Sequence, residues 1–295
     1  MRCRIANVVL ILAALASAST LPAAAPATVK VAAVQAASEF AQPQRNRQML
    51  ARLIHTAADN GAVIIVLPEA AVTGYLSYDL KRAWQVDARP LSAGLAGVDP
   101  AGFAESVPGP STEFFAKLAA ERGVYLSVPL VEVDRKTNRY YNTVVLLGPD
   151  GRQLIHYRKL NPWPWAERGW TTPGNLGHPV VDTPYGRLGV LICYDIHEQA
   201  RAMGELKVDI LLYSIAWVDS PNSDWFAKRL PEIAKANGLN IIGANWTVPA
   251  DGPRPTWAGY GQSLIIARTG QTLARASRDI GEEIVYAQLP VGQSP

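Results

Sequence analysis

The stretch GRLGVLICYDIHEQ, residues 186–199, is a mostly apolar run that ends at a cysteine and is followed by polar residues. The run before Cys193 has the composition of a buried strand, and a short helix is expected over 198–206. Cys193 therefore lies where a strand ends and a turn begins. A cysteine in this place is either a small core hydrophobe, since free cysteine is among the most buried residue types, or a nucleophile. The residues elsewhere in the chain have to decide between the two.

Working outward from this stretch, strands and helices alternate early in each half of the chain, and strands pair as hairpins later in each half. Strands are predicted at 28–34, 62–67, 124–130, 141–147, 152–157, 187–192, 208–214, 239–244, 262–267, 271–276 and 283–288, and helices at 44–60, 111–122, 198–206 and 224–237. Pro231 lies inside the last helix, where a kink or a restart is expected. This order predicts an α/β fold of mixed sheets with helices on one outer face.

The composition indicates a globular protein with a sizeable core. Of the 295 residues, 48% are hydrophobic and 18% are charged, and the net charge is +3. Such a balance argues against disorder, and the chain has no basic patch of the kind that binds nucleic acid. The sequence therefore favours a small-molecule partner over a nucleic acid.

The N-terminal segment has the pattern of a secretory signal peptide. Arg2 and Arg4 precede an apolar run over 5–16, and small residues follow at 16–18 and 23–25. The run is short for a membrane span, so cleavage is favoured over an N-terminal membrane anchor. We therefore expect a secreted or periplasmic protein that has no membrane segment after cleavage.

The expected division of the chain is a signal peptide at 1–25 and one domain at 26–295. Removal of the signal leaves 26 Lys and Arg against 25 Asp and Glu, a net charge of +1, and removes Cys3. Cys193 is then the single cysteine. A lone thiol in an oxidising compartment is a liability unless it is buried or used, so this context favours a functional cysteine slightly.

Three side chains with complementary chemistry follow apolar strands. Glu69 comes after AVIIVLP, Lys159 after the strand that ends IHYR, and Cys193 after RLGVLI. The carboxyl ends of strands in α/β sheets are where sites assemble. A carboxylate can take a thiol proton, and a lysine can hold the oxyanion that forms when sulfur attacks a carbonyl. Each residue alone has a structural explanation, but the set favours nucleophilic catalysis.

Three blocks of the sequence resemble the signature blocks of the nitrilase superfamily, the carbon–nitrogen hydrolases. They are LPEAAVTGY (67–75), HYRKLNPWPWAERGWTTPG (156–174) and GRLGVLICYD (186–195), with the Glu 90 residues before the Lys and the Lys 34 before the Cys. The resemblance covers nearly the whole mature chain. It implies a four-layer α-β-β-α sandwich and an enzyme without metal or cofactor. The four histidines, at 55, 156, 178 and 197, lack metal-ligand spacing.

The resemblance also implies a role for each matching residue. Glu69 would be the general base, Lys159 the oxyanion stabiliser and Cys193 the nucleophile. Glu167 would support catalysis by positioning substrate or water, although a loop salt bridge to Arg158 or Arg168 is the alternative.

Three further residues are predicted to bind substrate. The resemblance places Tyr75 and the backbone amide of Tyr194 near the substrate carbonyl. Trp217 follows a late strand and could face the site, with buried support as its alternative.

The reaction expected from this resemblance is hydrolysis of a carboxamide through a cysteine thioester, releasing ammonia or an amine. Cys-Tyr-Asp is similar to the amidase side of the superfamily, with further likeness to aliphatic amidases and to the vanin and biotinidase group. Nitrile hydrolysis, acyl transfer and an inactive binding protein remain alternatives. From Ile196 onward the chain leaves the family pattern, so no substrate contacts are transferred to 196–199. Members of the family usually associate, which predicts a homodimer or larger homo-oligomer.

Overall fold

The computed structural model describes residues 28–75, 85–86, 89–90, 99–164, 167, 169–217, 225–251 and 260–290. The expected signal peptide, residues 1–25, lies outside the described residues. The strands are β1 (Thr28–Gln35), β2 (Ile64–Val66), β3 (Gln85–Val86), β4 (Arg89–Pro90), β5 (Tyr125–Asp134), β6 (Arg139–Leu147), β7 (Gln153–Arg158), β8 (Val181–Thr183), β9 (Gly186–Ile192), β10 (Ile210–Ile215), β11 (Asn240–Asn245), β12 (Leu264–Ile266), β13 (Thr272–Arg275) and β14 (Glu283–Pro290). The helices are α1 (Pro43–Asp59), α2 (Pro110–Arg122), α3 (Asp195–Glu205) and α4 (Trp225–Asn237), with a short 3-10 turn at Pro100–Gly102.

Two six-stranded mixed sheets form the centre of the molecule. The first has the strand order β14-β1-β2-β5-β6-β7, and the second has the order β13-β12-β11-β10-β9-β8. In the first sheet β1, β2 and β5 are parallel and the outer strands are antiparallel. In the second sheet β9, β10 and β11 are parallel and are flanked by antiparallel strands on both sides. Each sheet therefore has a parallel centre whose strands end at one edge.

Alternation along the strands divides the core into layers. In β1, Val31 and Ala33 pack against residues of the second sheet, whereas Ala32 and Val34 pack against α1 and α2. The second sheet is covered on its outer side by α3 and α4, whose apolar side chains pack against β10. Because side chains of a strand point alternately to its two faces, strands buried on both faces are apolar throughout. The result is the four-layer α-β-β-α sandwich that the sequence predicted.

Most predicted elements are present, with four informative differences. β5 extends to Asp134, four residues beyond the predicted end, because Glu132 is buried in the strand and paired with basic side chains. α3 starts at Asp195 rather than 198, and β8 was not predicted. α4 runs through Pro231 without a restart. Among the helices of the described residues, none combines the length and the apolar character needed to cross a membrane.

Candidate active site

Cys193 is the residue directly after β9, and its backbone is held in an uncommon conformation. Its φ angle is +40°, in the left-handed region that residues with a side chain rarely adopt. The backbone N–H donates to the carbonyl of Ser214 at 2.9 Å, and the carbonyl accepts from the Tyr213 hydroxyl at 2.8 Å and from the Ile196 N–H at 3.1 Å. These bonds hold the strained turn in place. Strain of this kind is concentrated at functional sites.

Asp195 ties the cysteine turn to the segment that carries the lysine. Its fully buried carboxylate accepts hydrogen bonds from the Tyr157 hydroxyl at 2.7 Å, the Asn161 N–H at 2.8 Å and the Ile192 N–H at 3.3 Å. Burial raises the pKa of Asp195 to about 6, although the nearby Lys159 ammonium opposes this rise. Asp195 therefore fixes the end of β9 relative to the loop that follows β7.

Glu69 follows β2 in the first sheet, yet its backbone is bonded to the second sheet. Its N–H donates to the carbonyl of Ile215 at 3.1 Å, and the Trp246 N–H donates to the same carbonyl at 3.2 Å. Ile215 is next to Ser214, which accepts the N–H of Cys193. The ends of the two parallel strand sets therefore meet, which brings the carboxylate of one sheet to the thiol of the other.

Lys159 is completely buried and joins two carboxylates. Its ammonium nitrogen lies 2.7 Å from Glu69 Oε1 and 2.7 Å from Glu167 Oε2, and all three side chains are 0% exposed. The backbone around the lysine is also fixed, because its N–H donates to the Asn142 carbonyl and its carbonyl accepts from the Gly174 N–H, each at 2.8 Å. A buried charge needs such partners, since an unpaired one loses its hydration without compensation.

Glu167 belongs to this ionic cluster rather than to a surface salt bridge. Its N–H donates to the Trp163 carbonyl at 3.0 Å, and the Trp163 N–H donates to its Oε2. Arg158 pairs with Glu132 instead, with nitrogen–oxygen distances of 2.5 and 3.0 Å. Of the two alternative partners, Arg158 is thus engaged elsewhere, and Arg168 lies outside the described residues.

Asn142 is the member of the site that the sequence analysis missed. Its Nδ2 donates to Glu69 Oε1 at 2.7 Å and to Glu167 Oε1 at 2.5 Å, and the side chain is buried. The only signal in the sequence was a carboxamide in the apolar strand β6. With Lys159, it gives Glu69 Oε1 two donors, while Glu69 Oε2 has no hydrogen-bond partner among the described residues. One oxygen of the carboxylate is held, and the other is left to exchange a proton.

Burial and charge set the protonation of the cluster. Burial raises the pKa of Glu69 to about 7, and the Lys159 ammonium limits that rise. For Lys159, burial lowers the pKa, but the carboxylates of Glu167 and Glu69 outweigh it, so the net shift is upward and the ammonium stays charged. Burial, with the Glu69 charge, also raises the pKa of Cys193 well above its ordinary value. The resting thiol is therefore neutral, beside a base that titrates near neutral pH.

A cavity of about 110 Å³ opens beside the thiol. Its walls are formed by Trp163, Cys193, Tyr194, His197, Ala216 and Trp217. Two of the residues predicted to bind substrate, Tyr194 and Trp217, therefore lie next to Cys193. Tyr75 is buried on the Glu69 side, where it lines a separate cavity of about 10 Å³. Burial, with the Glu167 and Glu69 charges, raises the pKa of its hydroxyl well above the usual value, so Tyr75 is a neutral phenol.

No group of three or more metal-ligating side chains was found in the described part of the chain.

A family model described as "Carbon-nitrogen hydrolase" matches residues 30–294. The chain belongs to the carbon–nitrogen hydrolase family. Comparison with characterised proteins agrees: an omega-amidase of Xenopus laevis, NIT2-B, is 27% identical over 258 residues, which are 83% of this chain and 82% of the relative. A citrullinase of Francisella tularensis is 29% identical over 279 residues, which are 88% of each chain. This carbon–nitrogen hydrolase is thus a cysteine-dependent enzyme related to amidases and nitrilases.

Solved structures show the same fold. A mutant of the Nesterenkonia AN1 amidase from the nitrilase superfamily superposes with a TM-score of 0.70 at 21% identity, covering 90% of this chain and 92% of that one. Another mutant of that amidase, in complex with acrylamide, superposes with a TM-score of 0.71 at 21% identity, covering 92% and 94%. At this level of identity the likeness concerns the fold alone. The α-β-β-α arrangement of this carbon–nitrogen hydrolase is the arrangement of those proteins.

Proposed function

We propose that the enzyme hydrolyses a carboxamide through a thioester on Cys193. The observation that carries the proposal is the buried Lys159, which bonds both Glu69 and Glu167 beside the nucleophile turn. A base, a fixed cation and a thiol are the groups that acyl transfer requires. The family model is described as a carbon–nitrogen hydrolase, and the relatives include an omega-amidase, which supports the same bond class here.

Acylation begins with proton transfer from the thiol to Glu69 Oε2, the oxygen that has no other hydrogen-bond partner among the described residues. The sulfur attacks the amide carbon, and the carbonyl oxygen becomes an oxyanion. Two of the three N–H groups of the Lys159 ammonium are bonded to carboxylates, and we assign the third to this oxyanion. We assign the backbone N–H of Tyr194 as the second donor. The C–N bond then breaks as Glu69 returns its proton to the leaving nitrogen.

Deacylation repeats these steps with water. Glu69 takes a proton from water, and the hydroxide attacks the thioester carbon. The C–S bond breaks, the carboxylic acid leaves, and the proton held by Glu69 returns to the sulfur. Glu167 is bonded to Asn142 and Lys159. It holds the Lys159 ammonium in position beside Glu69 during both acylation and deacylation.

The direct test is the intermediate. Brief incubation of the purified enzyme with an amide, followed by acid quench and mass spectrometry, should show one acyl group on Cys193, and the Cys193→Ala variant should show neither adduct nor turnover. Hydrolysis by the Cys193→Ala protein would refute the proposal. Amide, nitrile and hydroxylamine acceptor assays in parallel separate hydrolysis from nitrilase and transferase activity. In an inactive binding protein, a thiol reagent would instead alkylate Cys193 no faster than it alkylates a free thiol.

Export and association belong to the same proposal. We infer that residues 1–25 are removed during secretion, so that the mature N-terminus lies shortly before β1 at Thr28. Mass spectrometry of the protein from the periplasm or medium tests this, and an intact N-terminus would contradict it. Light scattering tests the expected homodimer, and a monomer at assay concentration would refute it.

A further inference from the structure

The walls of the cavity at Cys193 indicate which acyl group the enzyme accepts. We propose that this cavity holds the acyl chain of the substrate, that it selects short uncharged chains, and that His197 determines the selectivity against charge. This inference rests on the amide hydrolysis proposed above and specifies its substrate class. It concerns the part of the chain that departs from the family pattern after Asp195.

Aromatic rings form a continuous wall on one side of the cavity. The ring centroids of Tyr194 and His197 are 5.1 Å apart, and those of His197 and Trp217 are 5.7 Å apart. Phe226 does not line the cavity but packs against Trp217, with the ring centroids 5.9 Å apart. Rings at these distances pack favourably and support one another. His197 lies in the middle of this row and is exposed to solvent on its other side. It therefore stands at the mouth of the cavity, where a chain extending from the scissile carbonyl passes.

Trp217 cannot move away easily to enlarge the cavity. Its N–H donates to Asn245 Oδ1 at 3.0 Å, and its carbonyl accepts from the indole N–H of Trp246 at 3.0 Å. Asn245 is itself fully buried and donates to the Gly261 carbonyl at 2.7 Å. The backbone that carries the indole is thus fixed to the end of β11, which is itself bonded to Gly261. A rigid wall converts cavity size into a limit on substrate length.

The volume sets that limit. An apolar cavity of about 150 Å³ accommodates benzene, which has six carbon atoms. The cavity here is partly open to solvent, and in proportion its 110 Å³ accommodates about four non-hydrogen atoms of a chain that extends from the thiol. The acyl chain that fits beside the thioester carbon is therefore short.

The buried charges next to the cavity belong to a single cluster around Lys159. Lys159 is bonded to Glu69 and Glu167, and none of these side chains is exposed. The cavity walls formed by described residues carry no lysine, arginine or carboxylate. Partial burial lowers the pKa of His197 and the Arg229 charge adds to this, although Glu198 opposes the shift, so the imidazole is neutral at neutral pH. Arg229 itself is paired with Glu232 at 2.6 Å and is not a wall residue of the cavity. Among the described wall residues an ionised acyl chain would lose hydration without gaining a cation, which is costly.

The wild-type enzyme is tested first with matched amides, with ammonia release as the readout. Butyramide should have a kcat/KM at least about 100-fold higher than succinamate, which has the same chain length but ends in a carboxylate. Octanamide should be hydrolysed at least about 10-fold less efficiently than butyramide, because its chain exceeds the cavity. Equal or better use of succinamate, or undiminished use of octanamide, would overturn the inference.

The role of His197 is tested with a cation placed at the mouth. His197→Lys should raise kcat/KM for succinamate about 10-fold and should not raise it for butyramide. The matched control is Glu198→Lys, which adds more positive charge on the adjacent, exposed position of α3 but does not line the cavity. If both variants raise succinamate turnover equally, long-range attraction is the cause and His197 has no selective role. His197→Arg provides a second cation if the lysine variant does not fold by circular dichroism.

The outcomes for the two proposals can be told apart by the acyl adduct. An enzyme that forms the adduct on Cys193 but prefers succinamate contradicts the substrate class alone. An enzyme that hydrolyses no amide and forms no adduct contradicts the reaction proposed above, and the inference fails with it.

Discussion

Replacing Asn142 with leucine should shift the pH dependence of catalysis upward. The carboxamide donates to Glu69 Oε1 at 2.7 Å and to Glu167 Oε1 at 2.5 Å, and leucine has a similar volume but no donor. A hydrogen bond to a carboxylate stabilises its charged form, so its loss favours the protonated form. The pKa of Glu69, already raised to about 7 by burial, should rise further.

The magnitude follows from the bond that is lost. A hydrogen bond to a charged group contributes about 1.5–3 kcal/mol, and one pKa unit corresponds to about 1.4 kcal/mol. Losing the bond to Glu69 should therefore raise the apparent pKa by about 1–2 units, to about 8–9. Because the base acts in its charged form, kcat/KM at a pH below both values should fall about 10- to 100-fold. The loss of kcat/KM relative to wild type should become smaller as the pH rises through the new pKa of Glu69.

The assay is kcat/KM for one amide across pH 6 to 10, with stability at each pH checked by thermal melting. The matched control is Asn240→Leu. Asn240 is equally buried and donates to the Asp209 carbonyl at 2.9 Å, but it lies at the opposite end of its strand from Asn245. Its loss should lower the melting temperature and leave the pH profile unchanged. The assignment of Asn142 as a positioning residue would be refuted if the acid limb of the kcat/KM profile of Asn142→Leu coincided with that of wild type. An equal shift of the profile in Asn240→Leu would also refute it.

Four further expectations concern the support of the site. Lys159→Met should lower kcat/KM by at least about 100-fold and the free energy of unfolding by about 3–5 kcal/mol, measured by amide turnover and urea titration, because two buried carboxylates lose their cation. Gly174→Ala should lower both kcat and the melting temperature, because its Cβ would lie 2.0 Å from the Arg158 carbonyl oxygen, next to the lysine. Burial raises the pKa of Glu132, but hydrogen bonds from His156 and Arg158 outweigh burial and lower the pKa from 4.5 to about 2. The ionised carboxylate therefore stabilises the fold by about 3 kcal/mol above pH 4.5, and this contribution is lost as the pH falls toward 2. Urea titrations of wild type and Glu132→Gln at pH 7 and at acid pH check this. The difference between their free energies of unfolding should become smaller as the pH falls. Dialysis against EDTA should leave kcat/KM within about twofold, and loss of activity restored by zinc would refute the cysteine mechanism.

The sequence predicted the parts of the site that follow from position on a strand. Glu69, Lys159 and Cys193 each come after an apolar run, and strand ends in α/β sheets meet at a common edge, so their proximity could be expected. Asn142 could not be predicted in the same way, because its role depends on the register of β6 against β7 and on the loop that carries Glu167. Pairing across strands is a long-range property that local composition does not encode.

Glu132 illustrates the same limit for the fold. A charged residue after an apolar run normally indicates that a strand has ended, and β5 was predicted to end at Leu130. In the structure the strand continues because Thr143 on the adjacent strand β6, with His156 and Arg158 on β7 beyond it, bonds the carboxylate. The cavity walls were beyond prediction for a related reason. Which rings from the turn after Cys193 and the end of β10 lie side by side is decided by packing between segments far apart in sequence.

The raised pKa of Cys193 is compatible with the proposed nucleophilic role, because in that mechanism the proton moves within one buried cluster. With a neutral thiol, Lys159, Glu69 and Glu167 carry a net charge of −1, and after proton transfer from Cys193 to Glu69 the net charge is still −1. Burial penalises the total charge held away from water, so it raises the pKa of both groups, but the step between the two states adds no charge to the interior. The free-energy cost of the proton transfer is therefore set by the difference between the pKa values of Cys193 and Glu69. Lys159 attracts either anion, so the charged group has a cation beside it both before and after the transfer. In the proposed reaction a thiolate thus forms only as its proton reaches Glu69, which would protect a lone cysteine from oxidation between turnovers.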